Sequence, residues 1–229
     1  MFPECFLSGY GNDVAGAGAV VADGEAFARV AAACRAHSLF CAYSFAELAA
    51  DGKRHIALQL VSPAGESVLV YRKSHLWTPS QFESGNFAAG TQLGPIVDLC
   101  GVRCAFLICF DIEVVEPARV LALQGVEAIV CVGANTATLT MTHILPVRAF
   151  ENGIHVMYCN YPRGTFGCGL SGAFTPCGLA LAQAPADSEC DTIFVVRPHD
   201  DEFVAVRRRN PFWAVRQPQL YAPLAHEKQ

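Results

Sequence analysis

The chain has 229 residues, enough for one sizeable domain (1–229) with a real core. Hydrophobic residues make up 52% and charged residues 16%, which excludes a disordered chain. A formal net charge of −5 gives no reason to expect a nucleic acid or an anionic membrane as partner.

In chain order, residues 26–37 have helical composition, and 39–43 form a short strand candidate. Residues 55–61 and 67–71 flank Ser62-Pro-Ala-Gly65 and together predict a hairpin. A strand is expected over 102–109, a helix over 116–123 and a strand over 127–132. A helix over 142–152 and a strand over 155–159 follow, then two strands at 178–182 and 192–196 around an Ala/Pro-rich turn. The triplet Arg207-Arg208-Arg209 is expected to be a solvated strand end. Hairpins mixed with strand–helix–strand units imply a layered α/β domain without repeats or linkers.

Eleven cysteines stand at positions 5, 34, 41, 100, 104, 109, 131, 159, 168, 177 and 190. The number is odd, the spacing irregular, and several lie in apolar runs, which points to a reducing compartment rather than a secreted scaffold. No Cys-x-x-Cys pair or histidine completes a zinc site, so no metal and no cofactor is expected. No basic leader precedes a hydrophobic core, and no apolar run reaches the ~20 residues needed to span a bilayer. A cytoplasmic protein is expected.

The most informative stretch is Ala105-Phe-Leu-Ile-Cys109-Phe-Asp111-Ile-Glu113. A buried strand ends at a thiol, acidic residues follow, and a helix begins with Pro117 near its first turn and Gly125 past its end. That is where an α/β fold presents a nucleophile, although a free cysteine is also among the residue types most often buried for packing. A thiol needs a base or a positive charge to act. Lysine occurs only at positions 53, 73 and 228 in a chain rich in arginine, and Lys73 closes a hairpin strand in Tyr71-Arg-Lys-Ser-His-Leu-Trp77. It suits a site that needs a compact point charge. Near the N-terminus, Glu4 taken alone would be an exposed terminal acid.

Together, Pro3-Glu4-Cys-Phe-Leu-Ser-Gly-Tyr10, Tyr71-Arg-Lys73-Ser-His-Leu76 and Leu107-Ile-Cys109-Phe-Asp111-Ile-Glu113 resemble the glutamate, lysine and cysteine motifs of the nitrilase, or carbon–nitrogen hydrolase, superfamily. Arg119, Ala134-Asn135, Arg148-Ala-Phe-Glu151-Asn152, Asn160, Gly169-Leu-Ser171 and the segments around 210–213 and 216–221 agree with it. Within the superfamily the chain looks most similar to the aliphatic amidases.

The resemblance implies a four-layer α-β-β-α sandwich of the nitrilase type. It implies a Glu4–Lys73–Cys109 triad, in which Glu4 is the general base, Cys109 the nucleophile and Lys73 an oxyanion donor with the backbone N–H of Phe110. It also places Glu83 where many members carry a second glutamate that positions the lysine, and Asn135 among the substrate-positioning residues. Asp111 and Glu113 are expected to shape the elbow and the helix start. The expected activity is hydrolysis of a small amide through a cysteine thioester, with a nitrile or an N-carbamoyl amine as alternative substrate and a non-catalytic scaffold as alternative role. The expected partners are that small molecule and further copies of the chain, as a homodimer or larger homo-oligomer. Two departures stand out. The chain begins three residues before Glu4, so the family's first strand–helix–strand segment is absent, Glu4 is expected on a loose end, and low activity is expected. Val114-Val115 and Val132-Gly133 replace the usual Phe-Pro and Pro-Thr, which bears on specificity.

Overall fold

The computed structural model describes residues 1–11, 18–187 and 192–225; Cys190 and Lys228 lie outside them. Helix α1 (Glu25–His37) is followed by β1 (Cys41–Leu48), β2 (Arg54–Val61) and β3 (Ser67–Arg72), an antiparallel sheet in the order β1-β2-β3. After the short helix α2 (Gln81–Asn86) come β4 (Ile96–Leu99) and β5 (Val102–Ile108). Two helices, α3 (Phe110–Glu113) and α4 (Val115–Leu123), lead to β6 (Ala128–Val132). A π-helical turn (Thr140–Ile144) runs into α5 (Leu145–Asn152) and then β7 (His155–Cys159). Strands β8 (Gly172–Phe174) and β9 (Ala180–Gln183) complete a six-stranded sheet in the order β4-β5-β6-β7-β8-β9, and α6 (Asp201–Arg209) and α7 (Pro211–Ala214) follow.

Residue alternation along the small sheet explains the layering. Cys41, Tyr43 and Phe45 of β1 and Ala57 and Val61 of β2 pack under Ala31 and Cys34 of α1. The intervening Ala42, Ala46, Ile56, Leu58 and Leu60 face the other way, into the core shared with the large sheet. A strand buried on both faces needs apolar residues at both parities, and these strands have them. On the far side, Ala118, Leu121 and Ala122 of α4 and Leu145 and Ala149 of α5 are buried. The result is the four-layer α-β-β-α sandwich. Each fully buried aliphatic or aromatic side chain in it contributes about 1.5–3 kcal/mol.

The parallel strands β5, β6 and β7 position the site. Ile108 pairs with Val132 and Val132 with Cys159, so the chain leaves all three strands at the same level. Residues 109, 133–135 and 160 therefore emerge along one edge, where open α/β sheets place their ligands.

Several expectations are corrected. The strand expected over 39–43 begins at Cys41 and runs on to Leu48. Residues 192–196 join neither sheet, and Ile193 is 91% exposed. A short apolar run has strand composition without specifying a partner edge. The arginine triplet is the last turn of α6, not a strand end; Asp201 and Glu202 open that helix, so its charges follow the helix dipole. Strands β4 and β8, each short, went unread.

Candidate active site

Cys109 follows the last residue of β5 with φ 47° and ψ −108°, a backbone conformation that L-residues rarely adopt. Its N–H donates to Val132 O at 2.7 Å, and its carbonyl accepts from Ile112 N–H at 3.1 Å. This sharp strand-to-helix turn holds the thiol at the strand end, where it is 7% exposed. Asp111, fully buried, braces the elbow. It accepts from Ile108 N–H at 3.0 Å, the Tyr71 hydroxyl at 2.7 Å, the Ser74 hydroxyl at 3.0 Å and His75 N–H at 2.8 Å. The carboxylate expected to shape the elbow thus also ties the lysine segment to it.

Lys73 stands one residue beyond β3. Its N–H donates to Ile56 O at 2.8 Å and its carbonyl accepts from Gly90 N–H at 2.7 Å, so the backbone is clamped on both sides. The ammonium lies 2.8 Å from Glu4 Oε1 and 2.8 Å from each carboxylate oxygen of Glu83. All three side chains are fully buried. Glu83, from the first turn of α2, also accepts from the Tyr10 hydroxyl at 2.6 Å and from Trp77 N–H at 2.9 Å. Ion pairs this deep persist only where further hydrogen bonds satisfy the remaining oxygens, and here they do.

Glu4 is not on a loose end. Its N–H donates to Gly133 O at 3.3 Å and its Oε2 accepts from Ala134 N–H at 3.1 Å. The flanking segment is tied to β1 through Phe2 N–H to Ala42 O, Cys5 N–H to the Ser44 hydroxyl and Leu7 N–H to Ser44 O. Pairing along a buried strand supplies what position in the chain does not.

Burial dominates the electrostatics. It raises the Glu4 carboxyl, against the pull of Lys73, which works the other way. Burial also raises the Cys109 thiol well above its usual range, reinforced by the Glu4 charge and opposed by Lys73 and the Ala134 N–H. For Lys73 burial works against the charge, but Glu4, Cys109 and Glu83 outweigh it and keep the ammonium protonated. The pocket therefore holds a protonated thiol, a carboxylate of raised basicity and a permanent cation.

Phe110 opens α3, where the first N–H groups of a helix lack intrahelical acceptors. Asn135 is committed inward. Its amide donates to Glu113 Oε1 at 2.5 Å and to the Thr140 hydroxyl at 3.1 Å, while its Oδ1 accepts from Ala137 N–H at 2.7 Å. It organises the loop beside the site and holds Glu113. Sequence reasoning missed Tyr10 as a partner of Glu83 and the Gly133–Ala134 backbone as the anchor of Glu4. Both lay within segments singled out for other reasons.

Residues 1–196 match the family model described as carbon–nitrogen hydrolase. The chain belongs to that family. The chain is similar to a hydrolase in the pqqF 5′ region of Pseudomonas protegens, 34% identical over 98% of this chain and 80% of the relative. An (R)-stereoselective amidase of a Pseudomonas species is 33% identical over 91% of this chain and 75% of its own. Among solved structures, a glutamate-to-glutamine variant of the amidase from Nesterenkonia sp. AN1 superposes with a TM-score of 0.74 at 26% identity, covering 81% of this chain and 75% of that one. That structure shows the result of Michael addition of acrylamide at its active-site cysteine. The chain is thus an enzyme, an amidase-type carbon–nitrogen hydrolase of the nitrilase superfamily. No helix among the described residues is long and apolar enough to cross a membrane.

Proposed function

We propose that the chain hydrolyses a small linear amide, such as a primary carboxamide, to ammonia and the carboxylic acid through a thioester on Cys109. The observation that carries this reading is the Lys73 ammonium bridging Glu4 and Glu83 at 2.8 Å in a fully buried cluster whose charges act on the Cys109 thiol. In the first step Glu4 takes the thiol proton as sulfur attacks the amide carbon. The developing oxyanion meets Lys73 and the N–H of Phe110; preorganised donors of this kind are worth about 3–4 kcal/mol each. Glu4 returns the proton to the leaving nitrogen, and ammonia departs with the C–N bond. A water then gives its proton to Glu4 and attacks the thioester, and the thiolate leaves and is reprotonated. Glu83 holds Lys73 in place, and Asn135 steadies the neighbouring loop through Glu113. The domain acts as one catalytic unit.

The relationship to an amidase, and to a solved amidase in complex with butyramide, supports the substrate class. Ammonia release from a panel of short amides, nitriles and N-carbamoyl amines tests it, with the Cys109→Ala variant as blank. Product from the amides, abolished in the blank, is the expected result. Product from nitriles alone would overturn the amide assignment, and product from none would favour a scaffold.

A further inference from the structure

Tyr158, the penultimate residue of β7, is 2% exposed, yet its hydroxyl makes no well-aligned hydrogen bond among the described residues; the polar group it approaches is the Cys109 side chain. Burying a hydroxyl unsatisfied costs stability relative to phenylalanine, so packing of the ring does not account for it. The surroundings make room for the oxygen in particular. Tyr158 pairs with Cys131 of β6, and its ring crosses the end of that strand at Gly133, where a Cβ would overlap the hydroxyl oxygen. Gly133 O is the acceptor for Glu4 N–H, and the next N–H, of Ala134, holds Glu4 Oε2. Any side chain at 133 would push the hydroxyl out of this corner.

The ionisable groups that face it are the thiols of Cys109 and Cys131 and the carboxylate of Glu4. Burial and these negative charges hold the phenol well above its usual range, so it stays a neutral donor. Cys131 is itself a fully buried thiol raised by burial and leaves Cys109 as the group that becomes charged during the reaction.

We propose that the Tyr158 hydroxyl is a hydrogen-bond donor kept beside Cys109 for its thiolate, only loosely engaged while the thiol is protonated and aligned onto the sulfur once Glu4 has taken the proton. It completes, with the Ala134 N–H and Lys73, a set of positive groups around the sulfur. This rests on the reading of Cys109 as nucleophile. A donor used only in the charged state lowers the cost of the attacking form without tightening substrate binding.

Tyr158→Phe keeps the ring and removes the oxygen. Alkylation of Cys109 by iodoacetamide, followed peptide by peptide from about pH 6 to about pH 10, should be about tenfold slower near pH 7, with its midpoint about one unit higher. Amide kcat should fall with KM unchanged, and the melting temperature should equal or exceed the parent's, because an unsatisfied group has gone. A merely structural tyrosine would move the melting temperature and leave the pH profile alone. Superimposed pH profiles in parent and variant overturn the donor role while leaving the nucleophile intact. Failure of Cys109 to react ahead of the other thiols in the parent overturns the nucleophile reading and this inference with it.

Discussion

The two ends of the central parallel strands solve the problem of buried ionisable groups in opposite ways. At the C-terminal end, Glu4, Lys73 and Glu83 are buried charged, and each is compensated by another charge, a hydroxyl or a backbone N–H. At the N-terminal end, where Ala128 pairs with His155, the imidazole is 1% exposed and neither ring nitrogen has a hydrogen-bond partner among the described residues. Phe203 of α6 packs edge-on against it at 4.7 Å, and the Arg207 charge lies nearby. Burial first, and then Arg207, lower its pKa to about 4. The comparison teaches that this fold spends paired charge where chemistry needs it and enforces neutrality where packing alone is at stake.

The sharpest break at the charged end is Cys109→Ala, which should lower amide hydrolysis by about 10⁴-fold or more while leaving thermal unfolding unchanged. A residual rate within tenfold of the parent in an ammonia assay would move the chemistry elsewhere. Next in size is Lys73→Met, which leaves Glu4 and Glu83 as two buried carboxylates without the cation between them. It should cost about 3–5 kcal/mol in denaturant unfolding as well as activity. Glu83→Gln, which leaves the Lys73–Glu4 pair intact, should cost clearly less. Equal losses would mean the three groups do not form one compensated cluster.

The neutral end gives a pH signature of opposite origin. The unfolded histidine binds its proton near pH 6.5 and the folded one only near 4. The stability that depends on neutral His155 is therefore complete above about pH 6.5 and is lost as pH falls toward 4, by up to about 3 kcal/mol. Urea unfolding across that window should show this slope in the parent and lack it in His155→Phe. An unchanged slope in the variant would reassign the titration to another group. The smallest effect expected is on the acid limb of kcat/KM. Because burial raises Glu4, that limb should lie above the ordinary carboxylate range, and a limb at or below that range would argue against Glu4 as the base.

Much of this molecule is legible in its residues. The run ending at Cys109, the lysine that closes a hairpin strand at position 73 and the acid near the N-terminus carry the family resemblance, and the hairpin and the β5–β7 units follow from apolar runs and their punctuation. The charge asymmetry of α6, acidic at its start and basic at its end, was also present to be read. Read by apolar pattern alone, its arginines look like a strand end, because a helix with one buried anchor, Phe203, shows little apolar periodicity. Residues 192–196 show the converse, apolar composition without a partner strand.

The sequence by itself determined which residue types are available for chemistry and which strands end beside them, because side-chain identity and local periodicity are properties of short stretches. Only the tertiary structure decided that Glu4 is held rather than loose, that Asp111 braces the lysine segment, that Asn135 turns inward to Glu113, and that Gly133 clears a space for the Tyr158 hydroxyl. Each of these depends on contacts between segments tens of residues apart. Burial, which sets the charge state of every group in the pocket, exists only once those segments have met.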